Sequence, residues 1–137
     1  MGKNRRLPAG FLGIKTMNRP PYGLCLPVEY HRCRDGDTVE VGIAESRWVW
    51  TIRLIDCWSP EIGELGGREA KQYAEKLMEQ CLHPAVYIPM PHDCHNLLGA
   101  ITFDRVPGFI FLSETLSLNE AMVAAGHATV KKLKPVL

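Results

Sequence analysis

The run over residues 48–55, Trp-Val-Trp-Thr-Ile-Arg-Leu-Ile, narrows the local choices most. Its β-branched and aromatic side chains suit a pleated, buried surface, so a strand is expected. The strand has to end by Ser59-Pro60, because proline cannot donate to a ladder, and Glu61 follows at the loop mouth. One cation, Arg53, lies inside this apolar run. An unpaired buried charge is costly, so Arg53 requires either a neighbouring acid or an anionic ligand.

The flanking chain builds a sheet around that strand. Residues 28–34 read as a strand, Asp35-Gly36-Asp37 as a tight turn, and 38–43 as a second alternating strand, giving a three-stranded antiparallel meander. A glycine-rich link over 63–67 leads to residues 68–82, where Ala70, Tyr73, Leu77 and Cys81 recur at helical spacing. His83-Pro84 stops that helix. A fourth strand is expected over 85–90, a polar loop over 91–98, and further strand within 99–112, interrupted around 104–108. A short helix over 119–126 closes the pattern, with Asn119 among its capping residues and Gly126 as its stop. The predicted organisation is an extended arm over 1–27, one domain over 28–130 and a basic tail over 131–137. The class is mainly β with two helices. Its order is that of a five-stranded OB barrel with an inserted helix, although other small α+β folds share it.

Composition excludes several alternatives. At 137 residues, 46% hydrophobic and 23% charged, the chain suits one domain with its own core. No apolar run reaches the roughly 20 residues of a membrane span. The basic N-terminus is interrupted by Pro8, Gly10 and Gly13, so no secretory leader is expected, and Arg6 breaks a myristoylation pattern. Five cysteines without a CxxC pair point to free thiols in a reducing cytoplasm. A net charge of +1 argues against strong non-specific nucleic-acid binding, and the clusters at 3–6 and 131–134 read as solvated ends. His92, Asp93, Cys94 and His95 could in principle ligate zinc. Four adjacent residues rarely wrap one tetrahedral ion, however, and no second ligand pair is suitably spaced. His127 reads as an ordinary exposed or capping histidine. Trp48 and Trp50 suit a core or barrel rim, whereas Trp58 at the expected cleft can stack on a base.

Five motifs stand in order: RDGDTVEV, RLIDCWSPE, GGREAKQYAEKL, TFDRVPGFIFL and NEAMVAAGHA. In this order the chain resembles the staphylococcal nuclease (thermonuclease) family over roughly residues 28–130. The resemblance implies an OB-fold nuclease that hydrolyses phosphodiesters in DNA or RNA with a calcium ion. It implies no membrane and no organic cofactor. By position, Asp37 would bind the metal and Ser59 would lend it a backbone carbonyl. Arg53 and Arg105 would hold the phosphate, and Glu61 would orient or deprotonate the attacking water. These residue types suit that chemistry. A hard cation takes carboxylate and carbonyl oxygens, and a guanidinium matches phosphate through two donors.

The departures define the open questions. Where the family usually has a second metal carboxylate, this chain has Trp58. Asp56 lies two residues upstream, on the same side of an extended segment. It either replaces the missing ligand or pairs with a basic side chain, leaving the metal site weak or empty. The loop before the second arginine is also longer. One alignment places Asn96 at that position; the preferred one keeps Arg105 and the apolar strand after it. Besides the nuclease, two other classes fit: an OB module that binds nucleic acid or protein without catalysis, favoured by Trp58, and a structural domain, favoured only by the near-neutral charge.

Overall fold

The computed structural model describes residues 23–43, 46–89 and 105–132. Its elements are β1 (Gly23–Asp35), β2 (Thr38–Ile43), β3 (Val49–Leu54), α1 (Gly67–Gln80), β4 (Ala85–Pro89), β5 (Val106–Phe111) and α2 (Leu118–Ala124). The strands close a barrel in the order β1-β2-β3-β5-β4, with β4 returning to β1. All neighbours are antiparallel except β3 and β5, which run parallel. The expected class is therefore found: mainly β with two helices, built on an OB-like five-stranded barrel.

The strand pattern explains the closure. Val39 and Val41 from β2, Ile52 and Leu54 from β3, Val86 and Ile88 from β4, and Ile110 from β5 are all fully or almost fully buried. They alternate with outward residues, as period-two geometry requires. Burying each such side chain is worth about 1.5–3 kcal/mol. α1 packs Ala70, Ala74 and Met78 into the same core, with Tyr73 and Leu77 at its edge. Its inward face thus includes Ala74 and Met78, beyond the stripe expected from 70, 73, 77 and 81. The helix ends at Gln80, and Cys81 is already extended.

Two expectations shift. β1 begins at Gly23, so residues 23–27 belong to the barrel, where they pair with β4. Pro27 and Gly23 conceal that strand in the sequence, while residues 1–22 lie outside the described ones. The second shift concerns α2. Ser117 is its cap, with Oγ accepting from the Glu120 N–H at 3.0 Å. Gly126 does stop the helix: at φ +83° it donates to the Val123 carbonyl, and His127 donates to Met122. His127 also stacks on Tyr73, ring centres 4.7 Å apart, joining the two helices.

Asn119 instead enters the interior, 3% exposed. Its Nδ2 donates to the carbonyls of Ile55 (2.8 Å) and Gly108 (3.2 Å), and its Oδ1 accepts from the Ile110 N–H (3.2 Å). One side chain thereby ties α2 to the parallel β3–β5 seam. Asn119→Ala removes three buried bonds, each worth about 1 kcal/mol net. Denaturant unfolding should register a loss of about 3 kcal/mol, and a loss near zero would mean the clamp is dispensable.

Candidate active site

The site gathers where the β1–β2 turn meets the end of β3. The Asp37 N–H donates to Asp35 Oδ1 at 3.0 Å, which folds the turn back on itself. Asp37 is only 8% exposed. Its Oδ1 accepts from the Thr38 hydroxyl at 3.0 Å and its Oδ2 from the Ser59 N–H at 3.0 Å. The Ser59 bond ties the segment before Pro60 to the turn. Burial, and next the hydrogen bond and charge of Asp35, push Asp37 up to about 6. Arg53 and the Ser59 N–H pull the other way without cancelling the shift.

Arg53 sits one strand over, paired in register with Thr38. Its Nη1 donates to the Leu54 carbonyl and, at 3.0 Å, to the Cys57 carbonyl. Nη2 lies 3.5 Å from Asp37 Oδ2, too far for a hydrogen bond, and is buried without a hydrogen-bond partner. The neighbouring acid expected for Arg53 is thus Asp37, but the pairing leaves one donor unused. Trp58 covers the guanidinium, its ring centre 4.1 Å from the Arg53 carbon. Trp58 is held in place by two backbone bonds with Thr129 (2.8 and 3.0 Å), and Lys132 Nζ lies 5.4 Å from the same ring.

The remaining candidates are placed differently. Glu61 follows Ser59 by two residues and is exposed; its N–H donates to Glu64 Oε1 at 2.7 Å. Gly67 passes so close that a Cβ there would overlap the Glu61 carbonyl oxygen, so the start of α1 fixes this loop. Arg105 is exposed. It immediately precedes β5, whose first residue, Val106, pairs in parallel with Ile52, the neighbour of Arg53. Asn96 and the 92–95 quartet lie outside the described residues.

Asp56 does not keep the geometry expected of it. β3 ends at Leu54, and Asp56 is exposed with φ +53°, in the left-handed region. The parity argument required an extended chain from Arg53 to Trp58, and this turn breaks it. Short polar residues tolerate that conformation because their side chains bond locally. Asp56→Gly should therefore leave thermal stability unchanged or raise it by up to about 1 kcal/mol; a marked loss would show that the Asp56 carboxylate has a partner.

Two participants lie beyond what the sequence suggests. There Asp35 figures only as part of a turn, although a carboxylate two residues from a buried one is a readable sign of repulsion. Lys132 reaches Trp58 only through the fold and leaves no local signal. The buried thiols offer no chemistry here: burial pushes Cys33 to about 11 and Cys57 to about 12, so both stay protonated at neutral pH.

The residues suit a divalent cation only in part. Asp35 and Asp37 supply two carboxylates whose repulsion a cation would relieve, with the Ser59 backbone adjoining. Trp58 contributes no ligand, Asp56 is exposed in a turn at positive φ, and no group of three or more Asp, Glu, His or Cys side chains able to hold a metal occurs among the described residues. That donor set fits a largely hydrated ion completed by substrate oxygens rather than a full protein cage. No family model matches the chain, and no curated protein matches it.

Proposed function

We propose that this chain is a nuclease hydrolysing phosphodiesters in DNA or RNA, with Arg53, Arg105, Glu61 and Asp37 as its working residues. The observation that carries the reading is the state of Arg53. Two carbonyls fix its guanidinium, and a buried Nη2 is left without a hydrogen bond. Such a donor is costly unless something takes it. A phosphate oxygen is the matching acceptor, and it would meet a cation that needs no reorganisation when charge grows on the phosphoryl oxygens.

The other roles follow from placement. Arg105, exposed just before the strand that pairs with β3, supplies a second cation for the phosphodiester. Glu61 is exposed beside the site, where a carboxylate can accept a proton from an attacking water. Asp37 holds Arg53 in position and, with Asp35 and the Ser59 carbonyl, would hold the divalent ion, calcium by the family resemblance. When bound, the ion would act as a Lewis acid on a phosphoryl oxygen. Trp58 limits the room above Arg53, so a base stacks there only if the indole or Lys132 moves aside.

A second reading rests on one contact. Trp58 stands where a metal carboxylate would be and closes over Arg53; an OB module that grips nucleic acid or a protein partner without cutting would tolerate this. Digestion of single-stranded DNA with calcium, magnesium or chelator separates the two. The nuclease reading expects cleavage with a divalent ion and none with chelator. Asp56→Asn should leave the calcium concentration for half-maximal cleavage unchanged, because that residue sits exposed in a turn at positive φ and not on the extended strand. Failure to cleave at any ion concentration would move the assignment to the binding module. A tenfold rise in Asp56→Asn would restore Asp56 as a ligand.

A further inference from the structure

The segment that follows α2 returns to the site and ties down the indole that covers Arg53. Gly126, at φ +83°, ends the helix and redirects the chain, and buried Ala128 anchors it in the core. Thr129 then meets Trp58 in an isolated antiparallel bridge, each backbone N–H donating to the other's carbonyl. The Thr129 hydroxyl donates to the Lys131 carbonyl at 2.7 Å, which curls the chain and leaves Lys132 Nζ 5.4 Å from the indole ring. This attachment is slight. One residue pair carries the bridge, and Val130, Lys131 and Lys132 beyond it are exposed. Trp58 is 38% exposed, so the indole is the outer layer of the site, with the Arg53 guanidinium beneath it. Under that cover Nη1 is held by two carbonyls, while Nη2 stays buried without a hydrogen bond. The closed arrangement thus leaves a costly unmet donor beneath a lid fastened at its edge.

We propose that residues 128–132 form a strap that keeps Trp58 closed over Arg53, so that a phosphate reaches Nη2 only when Trp58 is released from the strap. The phosphate as occupant rests on the function proposed above; the strap rests on the Trp58–Thr129 bridge and on Lys132 at the indole. A ligand that meets only the open form binds with its affinity reduced by the open fraction. Minor states of this kind commonly make up about 0.1–10% of a protein. Removing the cover should therefore tighten phosphate binding by at least about tenfold. The opposite role, in which the indole steadies Arg53 for its ligand, requires the opposite sign, because loss of the indole would then weaken binding.

The test is a titration of the full chain with inorganic phosphate, chelator present, followed by NMR at the Arg53 Nε–H. Trp58→Ala should bind phosphate at least about tenfold more tightly than wild type. Thr129→Pro deletes the N–H that donates to the Trp58 carbonyl, and should shift the affinity in the same direction by a smaller factor. Adding Arg53→Lys to Trp58→Ala should abolish the gain, which places the bound phosphate at Arg53. The proposal falls if Trp58→Ala binds phosphate no better than wild type, if the gain survives Arg53→Lys, or if Thr129→Pro leaves the affinity unchanged. Should Trp58→Ala melt early, Thr129→Pro decides the matter, since it leaves the indole in place. Cleavage assays on the same proteins keep the two ideas apart. Cleavage by the wild type with no gain in phosphate affinity in either variant sinks the strap and spares the nuclease. Tighter phosphate binding without cleavage in any variant does the reverse.

Discussion

Asp37→Asn is expected to make the protein more stable at pH 8 and almost inactive. The gain follows from the raised pKa of Asp37. In the folded protein Asp37 holds its proton up to about pH 6, whereas the unfolded chain releases it near 3.8. Between those values the native state binds more protons, so this group's contribution to stability falls as pH rises through the window and stays low above it. At pH 8 the folded state carries an ionised, buried carboxylate that it would hold better uncharged. A neutral amide of the same shape removes that cost, and the attraction of Arg53 is already included in the balance. The expected gain is on the order of 2 kcal/mol, shrinking towards zero at pH 4. The same change takes away the charge that would hold a divalent ion and that orients Arg53, so cleavage should fall on the order of a thousandfold. Denaturant melts at pH 4 and pH 8 check the first half and initial cleavage rates the second. A variant less stable at pH 8 would mean the Arg53 pair outweighs burial and the repulsion from Asp35.

Arg53→Lys should reduce cleavage at saturating divalent ion by two to three orders of magnitude. An ammonium on a flexible stem cannot donate to the Leu54 and Cys57 carbonyls and also keep a donor directed at a phosphate. Losing one preorganised donor to a developing oxyanion typically costs about a hundredfold to a thousandfold. The metal requirement should stay the same, because the carboxylates are intact. That split, a lower maximal rate with unchanged ion dependence, is what a purely structural role for Arg53 would not produce. A rate within about threefold of wild type would remove Arg53 from the chemistry.

The sequence displays the barrel because its strands are amphipathic at period two and its turns use aspartate and glycine where the backbone must reverse. Arg53 is legible for a different reason: a cation in an apolar strand needs an explanation wherever it occurs. Asp56 misleads because parity holds only while the backbone stays extended, and nothing in Ile-Asp-Cys-Trp announces a residue at positive φ. Asn119 looks like a cap because asparagine is so often one; its role in the seam depends on β5 arriving beside β3, which no local pattern encodes. The cover over Arg53 is equally hidden, since it needs Thr129 and Lys132 to return to Trp58 from more than seventy residues away in the chain.

The one parallel contact among the described strands also governs the order in which the site can form. β1, β2 and β3 are joined by short connections, so Asp37 and Arg53 can meet as soon as those strands pair. β5 reaches β3 only after the chain has passed through α1, β4 and the segment that follows it. Contacts of such long sequence separation form late, because loop-closure entropy must be spent before they repay it. The buried acid–arginine pair is therefore an early, local product of folding, and Arg105, just before β5, is brought in by the closing step. A nascent chain that has not yet closed its barrel can already hold the Asp37–Arg53 pair, while the β3–β5 seam and its Asn119 tie are still to come.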